Sequence, residues 1–153
     1  MGAEANALRL GLDWSVVSEP KPWKPCRRAQ GLIFTAGHTS HIEGKLGAGL
    51  AVDQGYLAAR EAMTRVLQAV HQEVGSLDAV RPVKLLGFIN AAPDFTETPA
   101  VLHGATNWLH QIFGPEAGAH SRSAIGVAAL PHGAAVEIEA VFEIVAYPTE
   151  GSS

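Results

Sequence analysis

Residues 121–140 read SRSAIGVAALPHGAAVEIEA. Two runs of β-type residues flank the turn sequence Leu-Pro-His-Gly, so the stretch predicts strands over 121–129 and 135–147, joined as a hairpin. Neighbouring residues of a strand face opposite sides of a sheet. The second run alternates an apolar set with a mixed set: Val136, Ile138, Ala140 and Phe142, against Glu137, Glu139, Val141, Glu143 and Val145. One face is therefore a core face, and the other is half apolar, which is typical of an oligomer interface.

Two earlier segments predict further strands. Residues 31–37, GLIFTAG, form a short apolar run between glycines, which is typical of a buried strand. Residues 83–91, VKLLGFINA, are almost continuously apolar, which indicates a central strand with both faces covered. The glycine-rich residues 38–52 are expected to form a loop or a weak edge strand.

Two amphipathic segments predict helices. The first begins at Asp53 as its N-cap and ends near Val74. The second begins at Thr98 as its N-cap, is followed at once by Pro99, and ends at Phe113. Combined with the strands, they predict an α+β fold with two helices packed on one face of a mixed β-sheet.

The chain of 153 residues has the length of one domain, predicted over 1–153. Three prolines between positions 20 and 25 hold the chain extended. We therefore expect an extended N-terminal segment over 1–22 and, at the other end, a flexible tail over 148–153.

Composition disfavours several classes of partner. A net charge of −4 offers no basic field for a phosphate backbone, so no nucleic acid is expected. One cysteine and no apolar run near 18 residues predict a cytoplasmic protein without disulfides or a membrane segment. The seven histidines do not follow a metal-ligand spacing, so we expect no metal.

The motifs resemble the RidA/YjgF family of reactive intermediate (enamine/imine) deaminases. The resemblance covers about residues 22–144 and rests on GLIFTAG, on VKLLGFINAAPDF at 83–95 and above all on RSAIGVAALPHGAAVEIEA at 122–140. The long connection after residue 86 resembles a subgroup of that family. The resemblance implies a chorismate-mutase-like fold and a homotrimer with its sites in the clefts between subunits.

The resemblance also implies two catalytic roles. Arg122 matches the family's arginine, whose guanidinium can grip a carboxylate through two parallel hydrogen bonds. Glu137 matches the glutamate that positions or activates water, a task that suits a partly buried carboxyl group with a raised pKa. The implied reaction is hydrolysis of a small carboxylate-bearing enamine or imine to a 2-keto acid and ammonia, without a metal or organic cofactor.

Five further residues match substrate-binding positions of the family. Trp23 aligns with an aromatic residue, usually tyrosine, that closes the pocket, and Ala36 and Gly37 fall where backbone amides reach the ligand. Two positions depart from the family's pattern: Ala124 replaces a frequent cysteine, and His103 replaces an expected asparagine. Because these changes alter the volume and polarity of the pocket, we expect a larger or different carboxylate imine than 2-aminoacrylate.

The predicted hairpin separates the two catalytic candidates. Arg122 would lie opposite about residue 142, which is roughly 17 Å along the ladder from Glu137. One small ligand could not bridge that gap. The hypothesis is therefore that each site takes Arg122 from one subunit and Glu137 from its neighbour.

Two alternatives to a deaminase remain. The same cleft could hold a 2-keto acid or a related metabolite without catalysis, in which case Arg122 is needed and Glu137 is not. A ribonuclease is the other alternative, which the acidic charge balance and the lack of a paired-histidine motif or a basic groove disfavour.

Overall fold

A computed structural model describes residues 1–145. Within this range no helix is both long enough and apolar enough to cross a membrane. The helices are α1 (Ala3–Arg9), α2 (Val52–Val74) and α3 (Thr98–Phe113). The strands are β1 (Cys26–Ala29), β2 (Leu32–Thr35), β3 (His38–Thr39), β4 (Lys45–Leu46), β5 (Gly49–Leu50), β6 (Val80–Asn90), β7 (Ser121–Val127) and β8 (Val136–Ile144).

One mixed sheet organises the domain. Its strands run in the order β1-β2-β8-β6-β7, with β3 paired to β8 beyond the end of β2. β6 is parallel to β7 and antiparallel to β8. Because α2 and α3 both pack on one face, the predicted α+β architecture is confirmed. The core between the sheet and the helices includes Ile33, Leu85, Ile89, Ile138 and Phe142, all fully buried.

The predicted hairpin of the last two strands is wrong, because β6 lies between β7 and β8. Leu85 of β6 pairs with Arg122 on one side and with Ala140 on the other. A strand that is apolar on both faces belongs in the centre of a sheet and needs a partner on each edge. The connection over 128–135 is long enough to carry the chain past one strand, so β7 becomes the outer strand.

Both predicted helices form, and each begins slightly earlier than expected. The N-cap of α2 is Ala51. Asp53 lies in the first turn, where its carboxylate accepts a hydrogen bond from the backbone N–H of Gln54. The N-cap of α3 is Glu97, and the Thr98 hydroxyl instead donates to a carbonyl of β7. The apolar spacing of these segments predicts one buried stripe on each helix. The stripes are buried at Ala59, Ala62, Met63, Val66, Leu67 and Val70 on α2 and at Val101, Ala105, Trp108, Leu109 and Ile112 on α3. Their last members, Val74 and Phe113, are only half-buried.

The N-terminal segment is not extended throughout, because Ala3–Arg9 forms α1. The prolines that indicated extension all lie after residue 19, whereas residues 3–9 are mostly good helix formers. Tertiary contacts hold this short helix in place: Glu4 accepts hydrogen bonds from the Leu77 amide and the Trp14 indole, and Ala7 is buried. The predicted tail over 148–153 and the end of the predicted strand at 146–147 lie outside the described residues.

The second sheet face, here called the open face, is half apolar as predicted. Glu137 and Glu139 of β8 are half-buried on it. Beside them lie apolar side chains of three other strands, with Phe34 47% and Ile125 43% exposed and with Leu86 and Phe88 half-buried. The oligomer interface expected on this face stays a prediction.

Candidate functional site

Four of the predicted site residues meet in one cavity of about 830 Å³. The cavity lies between the segment around residues 18–25, the end of β2 and the start of β8. Its lining includes Trp23, Ala36, Gly37 and Glu137. These residues are up to 114 positions apart in the sequence, so the fold alone brings them together.

Glu137 supplies the acidic group of this cavity. It lies on the open face of β8, paired with Thr39 of β3 on one side and Phe88 of β6 on the other. Burial raises the pKa of Glu137, and the negative charge of Glu139 raises it further. A carboxylate with a raised pKa is a stronger base than an ordinary glutamate, which suits it to take a proton from water and return it.

Gly37 lets the Glu137 carboxyl group take this position. A Cβ atom added to Gly37 would lie 2.9 Å from Cδ and 3.2 Å from Cγ of Glu137, and closer still to Oε1. The carboxyl group therefore packs directly on the backbone of residue 37. Only glycine leaves room for that contact.

Trp23 and Ala36 contribute differently from each other. Trp23 stands at the cavity wall with 59% of its surface exposed, and the Lys21 ammonium lies 6.0 Å from the centre of its ring. The Ala36 amide donates to the Pro25 carbonyl at 2.9 Å. That amide is thus already used within the chain, which differs from the role expected of it as a ligand donor.

Arg122 lies outside this cavity, at the outer strand β7. Its Nη1 donates to the Thr106 hydroxyl at 3.1 Å, and its Nη2 donates to the Pro99 carbonyl at 3.2 Å. Both acceptors are neutral, and across residues 1–145 Arg122 forms no salt bridge. Burial lowers the pKa of Arg122, yet a guanidinium keeps its charge at neutral pH. Among the described residues, Arg122 is therefore a cation held in place without a counter-charge.

Ala124 and His103 lie on the side of the molecule that carries Arg122 and not in the cavity that contains Glu137. Ala124 follows Arg122 by two positions on β7, so the two side chains share a sheet face. His103 is exposed on α3 and lies between Pro99 and Thr106, on the helix face that carries both contacts of Arg122. The predicted site residues thus fall into two groups within one chain, one around Glu137 and one around Arg122.

The cavity also contains residues that sequence reasoning did not assign to it. His38, His41, His132 and Arg65 line it. Burial lowers the pKa of His38, as does the charge of Arg65, against the opposing effect of the hydrogen bond from His38 to the Pro25 carbonyl. The adjacency of His38 to Gly37 was the only signal in the sequence that could have indicated it. In the described part of the chain, no three His, Cys, Asp or Glu side chains form a potential metal-binding group.

The family model described as endoribonuclease L-PSP matches residues 17–144. The protein TCP17 of Trypanosoma cruzi is 46% identical over 104 residues, which make up 67% of this chain and 65% of TCP17. The match therefore spans less than two thirds of that protein's length.

Two solved structures are similar over nearly the whole chain. The protein Atu1372 of unknown function from Agrobacterium tumefaciens is 28% identical with a TM-score of 0.83, over 94% of each chain. A candidate endoribonuclease from Shewanella oneidensis is 26% identical with a TM-score of 0.87, over 94% of this chain and 100% of that chain. The arrangement of helices and sheet described above is thus shared with both.

Proposed function

The chain belongs to the endoribonuclease L-PSP family, the YjgF/RidA family that its motifs resemble, and we propose that it is a hydrolytic deaminase of small carboxylate-bearing enamines and imines. One observation supports this most. Within residues 1–145, the chain holds a half-buried acid in a cavity and, elsewhere, an arginine that forms no salt bridge. These are the two groups that such a reaction requires.

We propose that the two groups complete one site only between subunits of a homotrimer. Arg122 lies near Ala124 and His103, whereas Glu137 lies in the cavity with Trp23 and Gly37. A heterologous interface, repeated around a three-fold axis, brings one surface patch of each subunit against a different patch of its neighbour. The half-apolar open face supports such an assembly, because its exposed aromatic and aliphatic side chains need a partner.

The chemistry follows from the two groups. The enamine takes a proton from solvent at carbon to give the iminium ion, with its carboxylate bound to Arg122. Glu137 takes a proton from water as the oxygen attacks the iminium carbon, forming a carbinolamine. Glu137 then returns that proton to nitrogen, the carbon–nitrogen bond breaks as the hydroxyl group loses its proton to solvent, and ammonia leaves a 2-keto acid. A raised pKa suits Glu137 to both proton transfers.

The size of the cavity indicates the substrate class. The cavity of one chain, about 830 Å³, is larger than the volume that a three-carbon imine occupies. Trp23 adds an indole wall, and Ala124 adds no polar group on the Arg122 side. We therefore favour a carboxylate imine with a larger side chain than that of 2-aminoacrylate.

Ammonia release from enzymatically generated imino acids tests the proposal. Removing the cation in Arg122→Ala should raise KM by about 100-fold, because hydrogen bonds to a charged group are lost. Glu137→Gln should lower kcat by about 100-fold or more and keep 2-keto acid binding. Wild-type protein that binds a 2-keto acid without turnover would identify the non-catalytic binding protein instead.

A second candidate function is RNA cleavage, the activity in the family's description. His38, His41 and His132 line the cavity together with Lys21, Lys24 and Arg65. Histidine pairs can serve as acid and base, and the cations can bind phosphate. A gel assay with single-stranded RNA decides between the two: cleavage lost in His38→Gln and retained in Glu137→Gln would favour the ribonuclease.

A further inference from the structure

Arg122 belongs to a hydrogen-bond network with Thr106, His120 and the Gly118 carbonyl, in which each donor and acceptor is fixed by its partner. His120 Nδ1 lies 2.7 Å from the Gly118 carbonyl oxygen, which can only accept, so Nδ1 carries the proton. Burial lowers the pKa of His120, and the imidazole is therefore neutral at neutral pH with a free lone pair on Nε2. The Thr106 Oγ1 lies 3.0 Å from that nitrogen, so its hydroxyl donates to His120.

Because the Thr106 hydroxyl donates to His120, it can only accept a hydrogen bond from Arg122. With its hydrogen committed to His120, the Thr106 oxygen has lone pairs only, and it accepts from Arg122 Nη1 at 3.1 Å. The Pro99 carbonyl holds Nη2 at 3.2 Å. Within residues 1–145 these two contacts use two of the five N–H groups of the guanidinium and leave the others for a ligand.

We propose that Thr106 and His120 are positioning residues that orient the Arg122 guanidinium for the substrate carboxylate. The inference rests on the proposed function, because it assigns Arg122 to the carboxylate. An arginine side chain loses considerable conformational entropy when it binds a ligand. Holding the guanidinium beforehand reduces that loss and fixes the plane in which a carboxylate can be bound at two points.

The network also makes the binding of the substrate carboxylate by Arg122 sensitive to acid. The groups that face His120 are Thr106 and His110 from α3, Arg122 from β7 and the Gly118 carbonyl of its own loop. Protonated His120 has no lone pair on Nε2, so the Thr106 hydroxyl can no longer donate to it. The new positive charge also repels Arg122. KM should therefore rise in acid through His120, separately from any change in kcat through Glu137.

The variants Thr106→Val and Thr106→Ser test the proposal in the assembled protein. Valine keeps the shape of threonine and removes the hydroxyl, so it should raise KM and the Kd for pyruvate about tenfold, with little change in kcat. Serine restores the hydroxyl and should recover most of the affinity. Thr64→Val is the matched control and should leave KM unchanged. The Thr64 hydroxyl also makes two hydrogen bonds, donating to the Arg60 carbonyl and accepting from the Trp108 indole, but it does not contact Arg122.

His120→Gln tests the acid sensitivity. Glutamine offers a carbonyl oxygen near the position of Nε2 and does not titrate, so the acid rise in KM should disappear. An unchanged KM in Thr106→Val, or an unchanged pH profile of KM in His120→Gln, would overturn the proposal. Nuclear magnetic resonance of the Arg122 side chain adds a measurement that needs no activity: Thr106→Val should increase its mobility, and an equally ordered side chain would also overturn the proposal. Wild-type protein that neither binds nor converts any substrate would instead contradict the proposed function.

Discussion

Arg122 and Glu137 leave the sheet from opposite faces, on strands that β6 separates. Arg122 pairs with Leu85, which pairs with Ala140, and these two partners are buried beneath the helices. Glu137 pairs with Phe88 on the open face. The two backbone positions are also offset by about 10 Å across the sheet and about 10 Å along it. Within one chain, therefore, the cation and the acid cannot hold the same small molecule.

Gly37→Ala should displace the Glu137 carboxyl group and lower kcat without unfolding the protein. The new Cβ would clash with the end of the Glu137 side chain, which is flexible and can move away. A displacement of about 1 Å at a catalytic group costs about 100-fold in rate, so we expect kcat to fall by that order. Steady-state kinetics, with thermal unfolding measured in parallel, checks this.

Gly126→Ala is the matched control for that substitution. Its Cβ would meet Ala91 at 3.5 Å and Thr98 at 3.9 Å, which are ordinary contacts. We expect kcat to stay close to that of the wild type. Equal activity of Gly37→Ala and Gly126→Ala would argue against the position assigned to Glu137.

Glu137→Gln should stabilise the protein above the normal pKa of a glutamate. Burial, and then the charge of Glu139, raises the folded-state pKa of Glu137 above 4.5. Between 4.5 and the raised value the folded state binds more protons than the unfolded state, so the free energy of unfolding falls as pH rises, and the loss persists at higher pH. Glutamine removes the loss, so Tm should exceed that of the wild type at neutral pH and converge with it below about pH 4.5. Thermal unfolding from pH 3.5 to 8 measures this; identical Tm curves would show that the pKa is not raised.

Gly104→Ala should destabilise the fold, against the usual trend for helices. A Cβ at position 104 of α3 would lie 2.8 Å from the Tyr56 carbonyl carbon of α2 and nearer still to its oxygen. In an unobstructed helix the change stabilises by about 1 kcal/mol, but here two backbones would have to separate, so we expect a loss of about 1–3 kcal/mol. Urea unfolding measures this, and a gain in stability would contradict the close packing of the two helices.

The sequence predicted the layers of this fold better than the order of its strands. Alternation identified the core side of β8, and continuous apolarity identified β6 as central. Alternation does not specify which strand lies beside which, so nearness in sequence suggested a hairpin of β7 and β8. The signal against it was β6 itself, because a central strand needs a neighbour on each edge.

The sequence indicated candidate residues for the site, but it did not indicate which of them line the same cavity. The motif around residues 122–140 indicated both Arg122 and Glu137. The contact between Gly37 and Glu137 joins residues 100 positions apart, and the sequence pattern carries no signal for it. Thr106 and His120 were missed for the same reason, since their roles depend on hydrogen bonds between α3 and the start of β7.

Mixed oligomers test most directly whether each site joins Arg122 of one subunit to Glu137 of the next. Arg122→Ala chains keep the acid, and Glu137→Gln chains keep the cation. At substrate concentrations near the wild-type KM, each variant alone should have almost no activity. After equal mixing and subunit exchange, verified by native mass spectrometry, about one site in four should contain both intact groups in a cyclic trimer. We expect about a quarter of the wild-type deaminase activity, again from that statistical count; a mixture of verified hetero-oligomers that stays as inactive as its components would contradict the account.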